Sequence, residues 1–186
     1  MLQKVKNLGC PKQQVENFFI NKYIPLYWQW NFHAKARECD YVDGPVKVGG
    51  GGARGPGKSH AVFSQLVLDD CQRIKYLEAL FLRQTGTAAR ESFEDLISRV
   101  LLGKCQYQYN RSSNVLTLPN GARVHLGGFH TEDDIDRYIG IEYDVIAIEE
   151  LNQLTEEKVL KLLGSMRTSK RWRPRLYASF NPGGIG

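Results

Sequence analysis

The chain carries Gly52-Ala53-Arg54-Gly55-Pro56-Gly57-Lys58-Ser59, a match to G-x-x-x-x-G-K-[ST], set between a strand-like run and an apolar helical run. No other feature constrains the fold so strongly. Glycines at these positions let backbone N–H groups turn inward around phosphate oxygens, and the helix that follows offers its positive N-terminal end to the same anion. In that arrangement Lys58 reaches the β and γ phosphates, and the Ser59 hydroxyl takes a Mg²⁺ that bridges them. A flexible linker would account for Gly49 to Gly52 but not for Gly57-Lys58-Ser59.

The flanking pattern predicts alternating strands and helices. Val46-Lys47-Val48 leads as a short strand into the glycines, and residues 60–73, with Ala61, Val62, Phe63, Leu66, Val67 and Leu68, predict a mostly buried helix. A buried strand over 77–82 completes a βαβ unit. A second core helix is expected over 88–102, where Phe93, Leu96, Ile97, Val100 and Leu101 fall at helical spacing, and Asn120-Gly121 predicts a β-hairpin within 115–129. Residues 144–148 form the next strand. Thr155 then opens a helix as N-cap, with acids in its first turn and Leu154 and Val159 as a hydrophobic staple. That helix ends near 164–168, and 176–180 is the last strand. Upstream, Val15, Phe18, Phe19 and Ile20 predict a helix over 13–23 that Pro25 ends, and a second runs from about Trp28 to Arg37. Residues 1–44 thus read as a helical lead-in and 45–186 as a nucleotide-binding core, within one domain of 186 residues.

Val145-Ile146-Ala147-Ile148-Glu149-Glu150 is an apolar strand running into two carboxylates, the pattern of a Walker B element. On a buried parallel strand the carboxyl end opens beside the glycine loop, so the acids arrive where metal and water sit. Glu149 then orients the Mg²⁺ shell and Glu150 polarises the attacking water, which favours hydrolysis by a motor ATPase over kinase chemistry. Read alone, the two acids are also a solvated loop or N-terminal charges for the helix after Thr155. Ser179-Phe180-Asn181 closes the last strand, where Ser179 or Asn181 senses the γ phosphate, or Asn181-Pro182 simply turns the chain. The expected class is α/β: a P-loop NTPase of the ASCE type, its mostly parallel central sheet flanked by helices, with a β-hairpin insertion near 115–129.

The net charge of +5 is unevenly placed, because residues 158–186 carry +7 and the remainder −2. Arg167, Lys170, Arg171, Arg173 and Arg175 surround Trp172, a mix suited to the phosphates and bases of DNA, although cations also suit a helix C-terminus. Cys10, Cys39, Cys71 and Cys105 lie far apart with no CxxC pair, so they read as reduced buried thiols rather than a metal site. The first residues lack the apolar stretch of a signal peptide, and no apolar run approaches the ~18 residues of a membrane span. A cytoplasmic protein outside the membrane is expected.

Taken together, Gly51 to Ser59, Asp136-Arg137-Tyr138-Ile139-Gly140-Ile141-Glu142-Tyr143-Asp144 leading into Glu149-Glu150, and Ser179 to Gly184 resemble the large terminase subunit of tailed bacteriophages over about residues 25–186. The resemblance implies the N-terminal ATPase domain of a motor that hydrolyses ATP, with Mg²⁺, to drive double-stranded DNA into a procapsid. The implied partners are the DNA, the portal protein, the small terminase subunit and further copies in a ring, in the host cytoplasm at the procapsid portal. It implies nucleotide contacts from Gly52, Ala53, Arg54, Gly55, Pro56, Gly57, Lys58, Ser59 and His60, metal contacts from Ser59 and Glu149, and coupling through Ser179 and Asn181. Arg54 matches a cis cation on the γ phosphate and Arg137 a trans arginine finger, for which Arg83 and Arg90 compete. Gln29, flanked by Tyr27, Trp28 and Trp30, matches an adenine contact, although an aromatic helix packed on the core reads as well. Glu149 stands where many relatives have Asp, and the implied C-terminal nuclease is absent. Another DNA-stimulated P-loop motor, helicase- or recombinase-like, or a slow nucleotide-dependent switch are the competing readings.

Overall fold

A computed structural model describes residues 8–53, 55, 57–84 and 89–181. Arg54, Pro56 and the residues after Asn181, together with the side chain of Arg90, lie outside the described residues. The lead-in supplies helices α1 (Lys12–Ile20) and α2 (Tyr27–Glu38), and β1 (Lys47–Gly51) then runs into the glycine loop. Helix α3 (Lys58–Gln65) continues through a π turn (Leu66–Asp70) into a last short turn (Cys71–Arg73), followed by β2 (Glu78–Gln84) and α4 (Ala89–Leu101). The remaining elements are β3 (Gln108–Asn110), β4 (Val115–Thr117), β5 (Arg123–Phe129), a 3₁₀ turn (Glu132–Tyr138), β6 (Val145–Ile148), a second 3₁₀ turn (Leu151–Gln153), α5 (Glu156–Leu163) and β7 (Arg175–Phe180).

Among the described residues seven strands form a sheet in the order β1-β7-β6-β2-β5-β4-β3. Pairing is parallel from β1 through β5 and antiparallel between β5, β4 and β3. In register, Gly51 faces Phe180, Ile148 faces Ala178 and Leu82 faces Ile148, so the carboxyl ends of β1, β7, β6 and β2 share one edge. In open parallel sheets that edge is where ligands bind. Alternation along β2 and β6 builds a core on each face. Ala79, Phe81, Val145 and Ala147 face α1 to α4, while Leu80, Leu82, Ile146 and Ile148 join Leu154 and Leu162 on the other side.

The structure differs from the sequence reading at four points. The hairpin at 115–129 is no insertion, because β5 is a full sheet member paired in parallel with β2 along its whole length. Strand β3 has no apolar alternation to announce it, and it extends the antiparallel edge. The helix over 60–73 is regular only to Gln65; the π turn beyond it brings Asp69 and Asp70, both fully buried, toward the lead-in. Thr155 is the N-cap residue of α5, but its hydroxyl donates to Glu132 at 3.2 Å instead of capping its own helix.

Those aspartates fasten the lead-in to the core. Arg37 of α2 donates to both Asp69 oxygens at 2.7 Å, and Gln14 of α1 donates to the same carboxylate at 3.0 Å. Arg73 pairs with Asp40 and Asp70, each at 2.8 Å, and the Tyr177 hydroxyl on β7 donates to Asp70 at 2.7 Å. All four cysteines are free thiols, and burial pushes Cys10 and Cys39 up to about 11. No described helix is long and apolar enough to cross a membrane.

Candidate functional site

The glycine loop joins β1 to α3, and Gly57 is the N-cap residue of that helix at φ +78°. A side chain there would be strained, and its Cβ would lie 3.1 Å from the Gln29 amide nitrogen. The Lys58 ammonium donates to the carbonyls of Gly52 at 2.9 Å and Ala53 at 2.6 Å, and to the Asn181 side-chain oxygen at 2.9 Å. Asn181 in turn donates its backbone N–H to Asn152 Oδ1 at 3.2 Å. One lysine and two asparagines therefore connect the glycine loop, the end of β7 and the turn that follows the two acids.

Those acids diverge in environment. Glu149 extends β6, its N–H donating to the Leu82 carbonyl at 2.8 Å, and it is only 2% exposed. Its carboxylate lies 3.1 Å from Arg83 Nε, yet both oxygens are buried without a hydrogen bond. Burial raises its pKa; Arg83 is the largest opposing influence, Ser59 and Lys58 also lower it, and Glu150 adds to the rise. An under-satisfied carboxylate beside a serine hydroxyl suits a hard divalent cation, so Ser59 and Glu149 fit Mg²⁺. Glu150 is half-buried and takes the left-handed conformation, φ 53° and ψ 47°. Such a backbone costs a non-glycine residue about 1–3 kcal/mol and is concentrated at functional sites.

Lys58, Ser59, Glu149, Glu150, Ser179 and Asn181 converge on a cleft of about 450 Å³ at the carboxyl edge of the sheet. Gln84, Asp95 and Arg99 line the same cleft and carried no role in the sequence reading, and Arg83, which lines it too, entered there only as a competing trans finger. Arg83-Gln84 ends β2, the parallel neighbour of β6, so reading every strand end against the glycine loop would have found them. Asp95 and Arg99 form an i,i+4 pair at 2.9 Å, indistinguishable in sequence from a solvated helix face. A second cleft of about 530 Å³ adjoins the first at Gly57 and His60 and is bordered by Gln29, Lys22, Arg99 and Lys104. Burial, with Lys104 and Arg99 nearby, lowers the His60 pKa.

Arg137 lies in the 3₁₀ turn after β5, exposed and paired with Asp134, and does not line either cleft. The five cations read as a DNA-facing segment are corrected by their contacts. Arg175 is 0% exposed, 2.8 Å from Asp40 and 3.7 Å above the Trp172 ring, so it is unavailable to DNA. Lys170 pairs with Asp144 at 2.8 Å, and Arg173 donates to the carbonyls of Tyr41 and Gly44. Only Arg167 and Arg171 of the five are exposed. The segment sits at the amino end of β7, opposite the cleft and separated from it by the strand's length, about 20 Å.

A sequence model of phage terminase large subunits matches residues 46–185. No curated protein matches the chain in sequence. Among solved structures, the large terminase of a thermophilic bacteriophage in complex with ADP superposes with a TM-score of 0.56 at 16% identity, over 83% of this chain and 38% of that one. The phage HK97 large terminase gives 0.62 at 13% identity, over 85% and 33%. The ATPase domain alone of a Thermus phage large terminase gives 0.60 at 17% identity, over 91% and 69%. At these identities the likeness carries the fold alone. The chain thus spans well under half of the whole large terminases it resembles.

Proposed function

This chain belongs to the family of phage terminase large subunits, and from that premise we propose that it is the ATP-hydrolysing domain of a viral DNA-packaging motor. The observation that carries the reading is the convergence at one sheet edge of Lys58, the Glu149-Glu150 pair and Asn181. Lys58 binds the β and γ phosphates, with loop N–H groups and the start of α3 around them. Ser59 and Glu149 would hold Mg²⁺, which would supply positive charge to offset that of the phosphates. Glu150 accepts a hydrogen bond from the attacking water and takes its proton as the water oxygen bonds to the γ phosphorus and the bond from that phosphorus to the β–γ bridging oxygen breaks, releasing ADP and phosphate.

The Lys58–Asn181–Asn152 contacts suit a coupling role. An acceptor that now holds Lys58 is positioned to exchange partners with a γ oxygen, and Asn152 follows Glu150 by two residues. Ser179 lines the same cleft from β7. Arg137 projects from the sheet end that carries the cleft, outward, as a group serving a neighbouring copy would; Arg83, bound to Glu149 in its own site, is the weaker candidate for that trans role. Double-stranded DNA, the portal protein, the small subunit, a ring of copies, and a place in the host cytoplasm at the portal complete the proposal.

Two measurements test it. The chain should bind Mg-ATP and release phosphate, and Lys58→Ala should weaken binding by roughly 10- to 100-fold, the loss of one charge-assisted contact of about 1.5–3 kcal/mol. Unchanged binding in that variant would remove the phosphate loop from the proposal. For DNA, two exposed cations in the 167–175 segment predict that replacing both Arg167 and Arg171 lowers the slope of log K against log salt by about 2. A wild-type slope of about −4 to −5, of which about −3 survives that replacement, would mean that Lys170, Arg173 and Arg175 leave their internal partners on DNA.

A further inference from the structure

Resting on the nucleotide reading above, the geometry points to Gln29 as a positioning residue that braces the phosphate loop through one hydrogen bond at each end of its amide. Both ends of that amide have fixed identities. The Leu26 backbone N–H can only donate and lies 2.7 Å from Oε1, whereas the Gly57 carbonyl can only accept and lies 3.1 Å from Nε2. The amide therefore has one orientation. The Tyr23 oxygen lies 3.3 Å from Oε1, but its single proton goes to His33 Nε2 at 3.0 Å, so each end of the amide makes one hydrogen bond. Reading adenine through its N6 and N7 edge needs the oxygen and the nitrogen of one amide free together. Gln29 is 4% exposed and keeps one acceptor site and one N–H beyond these two bonds, so a brace and a base contact are distinguished by measurement.

What Gln29 does hold is the one loop residue whose conformation sets the start of α3. Gly57 is left-handed, and its carbonyl also accepts the first bond of that helix, from Ala61 at 3.0 Å. Fixing this carbonyl fixes the direction of the next amides, which are those a phosphate meets. Gln29 is itself fixed from behind. His33, on the same helix, is fully buried, with Nε2 3.0 Å from the Tyr23 hydroxyl and Nδ1 2.9 Å from Gln65 Oε1. Gln65 directs its amino group to Asp69 at 2.8 Å, so its oxygen faces the imidazole and Nδ1 carries the proton. The buried ion pairs thus fix His33 and, through it, the Tyr23 hydroxyl that packs beside the Gln29 amide.

The two roles for Gln29 separate on a ligand that has phosphates and no base. Binding of tripolyphosphate, ATP and GTP, each with Mg²⁺, is measured calorimetrically on the whole chain, wild type against Gln29→Met and Tyr23→Phe, alongside thermal midpoints. Gln29→Met should weaken all three ligands by a common factor of about 5–10, with the ATP-to-GTP ratio unchanged and a folded protein. Tyr23→Phe should shift the three together by a smaller factor. Tripolyphosphate binding that survives Gln29→Met while ATP binding falls, or a changed ATP-to-GTP ratio, would overturn the brace and restore base contact. Wild-type protein that binds none of the three would instead overturn the nucleotide reading, and the brace with it.

Discussion

Glu150→Gln should reduce ATP turnover by about 10²- to 10⁴-fold, the usual contribution of a positioned proton acceptor, while Mg-ATP binding stays within a few-fold of wild type. The substitution keeps the side chain's length and shape in the cleft and removes only its capacity to take a proton. Two features direct the prediction to Glu150 and not to its neighbour. Glu149 is buried, ion-paired with Arg83 and beside Ser59, a setting for a cation shell, whereas Glu150 is half-buried and turned by its left-handed backbone out of the β6 ladder. Because that backbone is already strained, the residue is held by the bonds around it, including Gln153 N–H to its carbonyl at 2.8 Å. Steady-state phosphate release and equilibrium nucleotide binding on the same preparations separate the terms. Equal turnover in the two proteins would exclude Glu150 as the base, and lost binding would show that it holds the nucleotide instead.

The cleft was legible in sequence because its parts sit at strand ends, and strand ends are local signals. An apolar run ending in polar residues marks β6 and β7, and the glycine motif marks the turn after β1. A sequence does not display which cations already have partners. Arg175 and Arg171 are four residues apart and chemically identical, yet one lies beneath Trp172 against Asp40 and the other faces solvent. The difference comes from the lead-in, whose Asp40 stands 135 positions away in the chain. The same blindness hid Asn152, which joins the site only because the turn after Glu150 folds it back toward Asn181. Strand β3 escaped for a different reason: its polar residues Gln108 and Asn110 flank one tyrosine on an edge that needs no apolar face.

Breaking the buried charges between lead-in and core should be the largest stability effect in the molecule. Asp69→Ala should destabilise the fold by about 3–5 kcal/mol, because it strands a buried cation. Asp69 is fully buried and accepts two bonds from Arg37, one from Gln14 and one from Gln65. Arg37 is only 7% exposed, and its other acidic neighbour, Asp40 at 3.6 Å, already serves Arg73 and Arg175. Urea unfolding with a constant slope against denaturant measures the loss. Adding Arg37→Met to an Asp69→Leu background should recover most of it, since exchanging a whole buried pair for apolar side chains costs little. Equal losses in single and double variants would place the penalty in packing instead of charge. The partial variant has a functional consequence as well: α2 carries both Arg37 and Gln29, so loosening its docking at Asp69 should weaken nucleotide binding before the core unfolds. That order of events would tie the buried ion pairs to the phosphate loop through one helix.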